Sequence, residues 1–197
     1  MTELVSLSDA LNALIWSEAE GAVRAYAPDQ PYPEGNGLSE PLMTVAQAIK
    51  SDMGLRVATV DVPGWETHVN QADPFSGPAR GLSEAVMAFW RDLGSWQQDV
   101  SVVVMSEFAR RLRSNTAGGT DHGRGNAMMI LGPQARGGRM VGAWPGLTND
   151  ALEAGADLAV VTDYRSVLSE LLTVHLGLAD PSQVFPGFKG SPIGLWS

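Results

Sequence analysis

The chain has 197 residues, 44% of them apolar, which fits one ordinary domain with a sizeable core and is too apolar for a disordered tail. Its 22 acidic residues against 13 lysines and arginines give a net charge of −9. That balance excludes a general nucleic-acid binder, whose affinity comes mainly from neutralising phosphates. There is no cysteine, so disulfides, thiolate metal sites and thiol catalysis are excluded.

The elements follow in chain order. Residues 1–9 contain no basic region leading into an apolar core, and no stretch approaches the roughly 20 apolar residues of a membrane span. The expectation from the chain as written is a soluble, cytoplasmic protein with no membrane partner. Leu7, Leu11, Leu14, Ile15 and Ala22 recur at helical spacing and predict a helix over residues 6–25. Pro28, Pro31, Pro33, Gly35 and Gly37 then mark a loop. A second helix is predicted over residues 39–52, with Leu42, Val45, Ala46 and Ile49 on one face and Gly54 as its stop. Residues 55–61, LRVATVD, form a near-continuous apolar run, the pattern of a strand covered on both faces of a parallel sheet. A polar loop follows through Pro78, then a predicted helix over residues 82–96 and a second strand over residues 100–106. Residues 127–131 read as a third strand and residues 139–142 as a short fourth. The last helix is predicted over residues 163–176, and the tail from Pro181 reads as an irregular strap. Helix and strand in alternation predict an α/β fold, a mostly parallel sheet flanked by helices.

Two short segments hold two of the three histidines: Gly64-Trp65-Glu66-Thr67-His68 and Gly119-Thr120-Asp121-His122-Gly123. Each can be placed beyond a predicted parallel strand, where open α/β sheets bind ligands. Residues two apart in extended chain point the same way, so Glu66 and His68 can reach one metal or each other. Glu107 adds a carboxylate at the exit of the second strand, and Gly118, Gly119 and Gly123 let the backbone bend tightly around Asp121 and His122. Imidazole with carboxylate is a ligand set that divalent zinc, manganese or iron accepts. The alternative is that each histidine is a hydrogen-bonded surface residue. His175, at the end of the last helix, reads as structural, since positive charge suits a helix C-terminus. Six arginines between residues 110 and 139, including Arg110, Arg111 and Arg124, bracket the second motif. They form either a local anion site or a set of solvated loop cations. No Walker loop, dinucleotide fingerprint or Gly-x-Ser-x-Gly elbow is present, so no nucleotide cofactor is expected.

Read in order, RVATVDVPGWETHVNQ (56–71), VSVVVMSEFARRLRSNTAGGTDHGRGNAMMILGPQARGG (100–138), TDYRSVLSELL (162–172) and VFPGF (184–188) resemble the family catalogued as domain of unknown function 1501. That family is placed with the alkaline-phosphatase and sulfatase superfamily. The resemblance covers about residue 40 to the C-terminus. It implies an alkaline-phosphatase-like three-layer sandwich, present as the C-terminal half. On that basis residues 1–197 form a single domain, with residues 1–38 as a divergent helix and linker and residues 39–197 as the family-like region. It further implies hydrolysis of phosphate or sulfate esters at divalent metal (zinc, manganese, iron or calcium) held by Glu66, His68, Glu107, Asp121 and His122. Arg110, Arg111 and Arg124 would bind the anionic group of a small ester.

Departures from the family pattern are equally specific. Glu66 stands where an aspartate is usual, Phe108 where hydrolytic relatives carry a histidine, and Ala109, Arg111 and Leu112 where Gly, Thr and Pro are usual. The resemblance implies that the superfamily nucleophile and first ligands, like the twin-arginine export signal of full-length relatives, fall in an N-terminal half not found in this sequence. The second expectation is therefore a catalytically inactive or truncated member acting in binding or assembly. In that reading a homo-oligomer or a partner chain completes the domain.

Overall fold

The computed structural model describes residues 16–17, 21–23 and 25–196. Most of the helix predicted over residues 6–25 lies outside the described residues. Where described, that stretch forms a two-residue antiparallel pair, β1 (Trp16–Ser17) with β2 (Ala22–Val23), Trp16 opposite Val23. The contacts divide the chain into two compact units, residues 1–64 with 77–96, and residues 65–76 with 97–197.

In the first unit α1 spans Ser39–Lys50, close to the predicted bounds. It stops where Asp52 and Gly54 take φ values of 50° and 69°, left-handed positions that a helix cannot continue through. Its entry is fixed by side chains: the Ser39 hydroxyl donates to the Pro33 carbonyl at 2.8 Å, and Asn36 accepts from the Leu38 amide at 3.0 Å. The next helix, α2, spans Ala72–Leu93 and starts ten residues before the predicted Leu82. It runs through Pro78, which removes one backbone donor, an interior defect that typically costs about 3 kcal/mol. Its buried stripe in this unit is Ala85, Ala88, Phe89 and Leu93, the i, i+3, i+4, i+8 spacing of one helix face.

Asp92 lies in the same stripe, fully buried. A charge there requires complete pairing. Its carboxylate accepts from the Tyr26 hydroxyl at 2.8 Å, the Asp29 amide at 2.7 Å, the Tyr32 hydroxyl at 2.9 Å and Lys50 Nζ at 2.7 Å. Burial pushes the Asp92 carboxyl up, and these four donors outweigh it and hold the group below its ordinary value. One carboxylate thus ties α1, α2 and the loop before α1 together.

In the second unit the strands are short. β3 (Val102–Val104) pairs antiparallel with β6 (Met129–Leu131), Val103 opposite Ile130. β4 (Ala109–Arg110) pairs antiparallel with β5 (His122–Gly123), Arg110 opposite His122. The last helix, α3, spans Tyr164–Val174 and is capped by Asp163, which accepts from the Arg165 amide at 2.9 Å. His175 follows at its C-terminal end, its Nδ1 3.4 Å from the Ser101 hydroxyl. The tail beyond the 3₁₀ turn Pro181–Gln183 is anchored by Glu170 of α3, whose carboxylate accepts the amides of Ile193, Gly194, Leu195 and Trp196 at 2.7–3.0 Å. Ala109, Leu152, Val167 and Trp196 are the buried apolar residues of this unit.

The parallel sheet and the three-layer sandwich are overturned. Among the described residues the sheets are three antiparallel two-stranded ladders, with no parallel pair. Residues 100–106 and 127–131 do contain strands, but they pair with each other in antiparallel register, so no crossover helix joins them. Residues 55–61 join no ladder among the described residues, and Leu55 and Val57 are exposed. Residues 139–142 form no strand. An apolar run specifies a tendency to extend and does not specify the partner or its direction.

Candidate metal centre

The site is built by two loop segments of the second unit that hydrogen-bond to each other. The Asn70 amide donates to the Ala117 carbonyl at 3.1 Å, the Gln71 amide to Gly118 at 3.1 Å, and the Thr120 amide to Thr67 at 3.4 Å. Thr67, between Glu66 and His68, is buried. The alternation of extended chain therefore turns its two neighbours to the opposite, solvent side. Asn115 shapes the second segment. Its Oδ1 accepts the amides of Ala117 at 2.9 Å and Gly119 at 3.1 Å, while its Nδ2 donates to the His68 carbonyl at 2.9 Å. Gly118 has φ of 73°. A Cβ on Gly119 would lie 2.1 Å from the His68 carbonyl carbon, so only glycine permits this approach. Gly123 has the same role one strand later, where a Cβ would lie 2.7 Å from the Arg110 carbonyl carbon.

The outcome is a compact group of three side chains, Glu66, His68 and His122. His68 Nε2 lies 3.0 Å from His122 Nε2 and 3.0 Å from Glu66 Oε2, and His122 Nε2 lies 3.4 Å from each Glu66 oxygen. The three side chains are between two-fifths and two-thirds exposed. Arg110 holds the arrangement from behind. One of its guanidinium nitrogens donates to the Thr120 carbonyl at 2.8 Å, and the other to the Trp65 carbonyl at 2.8 Å and Glu66 Oε1 at 3.2 Å. Phe108 stacks on the His122 ring, centroids 4.0 Å apart and planes 27° apart. Desolvation acts upward on the Glu66 carboxyl, but the His122 hydrogen bond and the charges of Arg110, His122 and His68 keep it below its ordinary value.

The donor set fits a divalent cation. Ligand atoms around a tetrahedral zinc with bonds of about 2.0–2.1 Å are roughly 3.3–3.4 Å apart, close to the separations found here. Three lone-pair-bearing atoms this close repel unless a cation or a proton lies among them.

The other residues expected at the site take different places. Asp121 is outside the group of three, with Oδ1 3.7 Å from His68 Nδ1, the face of the ring turned away from Glu66. The Asn115 hydrogen bond is the chief reason its carboxyl is held below the ordinary range, aided by the charges of His68 and Arg111. Glu107 is exposed and not in the group. Arg111 pairs with Asp157 at 3.4 Å and Arg124 pairs with Glu153. None of the three arginines expected to bind an anion is without a carboxylate. Asn115 and Phe108 were not expected to shape the site. The Asn115 signal is its residue type, since an asparagine side chain readily accepts the amide two residues on in an Asx turn, here that of Ala117. The Phe108 stacking had no local signal.

Two loops knitted by short antiparallel contacts, presenting an exposed His₂Glu ligand group, define a candidate metal-binding protein. The chain belongs to the family described as "Protein of unknown function (DUF1501)", which it matches over residues 8–196. No curated protein and no solved structure matches it.

Proposed function

We propose that this chain binds one divalent transition-metal cation through Glu66, His68 and His122 and uses it to hydrolyse a small phosphate or sulfate ester. The observation that carries the reading is the convergence of both Nε2 atoms and the Glu66 carboxylate within 3.0–3.4 Å. Two imidazoles favour zinc or iron over calcium, which takes oxygen ligands. Glu66, His68 and His122 would hold the cation, which would supply Lewis-acid chemistry toward an ester. The protein side chains would do the rest. Arg110 draws on Oε1 of Glu66 and leaves Oε2 as the free ligand atom, and the exposure of all three side chains leaves an open side for water and ester. The reaction class is taken from the resemblance of the motifs to domain of unknown function 1501, a family placed with phosphatases and sulfatases.

A second reading, a metal-binding protein without turnover, is favoured by one observation. Arg110, Arg111 and Arg124 are each engaged by a carboxylate, so an anionic substrate must displace an existing ion pair to use them. One experiment separates the readings: elemental mass spectrometry of tag-free protein purified without chelator, beside His68→Ala and His122→Ala, followed by assays with p-nitrophenyl phosphate and p-nitrophenyl sulfate. Near-stoichiometric metal lost in both variants, with turnover that follows the metal, supports the hydrolase. Metal without turnover supports the second reading. Metal below about a tenth of an equivalent after reconstitution sinks both, because structural and catalytic zinc sites bind far more tightly than that.

A further inference from the structure

We infer that Asp121 is a positioning residue for His68 rather than a metal ligand: it takes the Nδ1 side of the ring, so that Nε2 presents its lone pair to the cation. This rests on the metal-site reading above. Three observations lead there. Asp121 Oδ1 faces His68 Nδ1 at 3.7 Å, while Nε2 of the same ring is the atom that meets Glu66 and His122. The spacing is one that a small side-chain rotation closes to hydrogen-bond length. Secondly, Asn115 Nδ2 donates both to the His68 carbonyl at 2.9 Å and to Asp121 Oδ1 at 3.1 Å, so one amide group fixes the carboxylate relative to the residue it serves. Thirdly, Asp121 lies outside the group of ligand atoms although its sequence neighbour His122 belongs to it. Asp121 directly precedes β5 and meets the Nδ1 side of the His68 ring while His122 meets its Nε2 side, so one residue can ligate while the other supports from behind.

A ligating histidine that donates its second N–H to a carboxylate is fixed in tautomer and ring angle and is a more basic ligand, and losing such a partner typically costs about 10–100-fold in metal affinity. The test is zinc affinity of the full chain, measured by competition with a chromophoric chelator, for the wild type, Asp121→Asn and Asp121→Glu. The expected result is one equivalent of zinc in all three, with Asp121→Asn about 10–100-fold weaker and Asp121→Glu recovering most of the loss. A second readout needs no variant: in the zinc-loaded wild type the His68 Nδ1 proton should appear as a downfield, exchange-protected NMR signal. Equal affinity in Asp121→Asn and an unprotected Nδ1 proton would remove Asp121 from the site and leave the metal reading standing. Complete loss of stoichiometric zinc from a folded Asp121→Asn would make Asp121 a ligand and overturn the inference. A wild type that binds no zinc overturns this inference together with the metal reading.

Discussion

At the scale of single residues, the site depends on places where a side chain has no room. Gly119 lies directly against the His68 peptide, and this contact brings the first histidine segment to the second. In Gly119→Ala the added methyl must push the two backbones apart, a strain of about 1–3 kcal/mol. Because 1.4 kcal/mol is a factor of ten, zinc binding should weaken by about one to two decades. Gly137 is the control, since a Cβ there meets nothing within 4 Å and its φ is not left-handed. Denaturant midpoints and zinc competition on Gly119→Ala and Gly137→Ala check this. Equal behaviour of the two would show that the close approach does not shape the site. Arg110 illustrates a different residue-scale point: its donors are directed to two carbonyls and Glu66, so its work is holding loops rather than receiving an anion.

At the scale of elements, α3 and the C-terminal tail are joined by one carboxylate. Burial pushes the Glu170 carboxyl up, but the amides of Trp196, Ile193, Gly194 and Leu195 outweigh it and hold the group below its ordinary value. A carboxyl lowered on folding contributes stability that is fully present above its unfolded value of about 4.3. That contribution is lost as pH falls through the lower folded value. Thermal midpoints should therefore hold on this account from pH 7 to about 5 and drop below. In Glu170→Gln the protein should lose about 1–3 kcal/mol at neutral pH and show a flatter acid limb. Hydrogen exchange of the amides of residues 193–196, read with the melts, locates the effect. Unchanged exchange there in the variant would refute the anchor.

At the scale of the molecule, the candidate ligands Glu66, His68 and His122 all belong to one compact unit, and the buried Asp92 network belongs to the other. Removing one partner of a buried ion pair typically costs about 3–5 kcal/mol. Asp92→Ala should cost that much because it leaves Tyr26 and Tyr32 without their acceptor and Lys50 with Asp29 alone. Independent sites add within about 0.3–0.5 kcal/mol, so under folding conditions zinc affinity should stay within about twofold of wild type. A large loss of affinity would show that the two units are energetically coupled. Conversely, zinc at 100 times its dissociation constant should add about 2.7 kcal/mol of stability to the wild type and nothing to His68→Ala. No helix among the described residues is long and apolar enough to cross a membrane.

The sequence by itself determined the local events. Periodic apolar residues and stop signals predicted α1 and α3, and short apolar runs predicted extended chain at Val102–Val104 and Met129–Leu131. The spacing of Glu66 and His68, with Thr67 between them, already placed two donors on one side of an extended segment. These follow from backbone geometry and side-chain shape within a few residues. Strand partners, strand direction and the far ligand were decided by the tertiary structure. Residues 55–61 have the composition of a buried parallel strand and join no ladder among the described residues, whereas residues 102–104 meet residues 129–131 in antiparallel register. The same holds for choosing His122 over Asp121 and Glu107, and for setting Arg110, Arg111 and Arg124 each against a carboxylate. Contacts between segments fifty residues apart depend on which surfaces fit when the chain closes, and no local pattern encodes that fit.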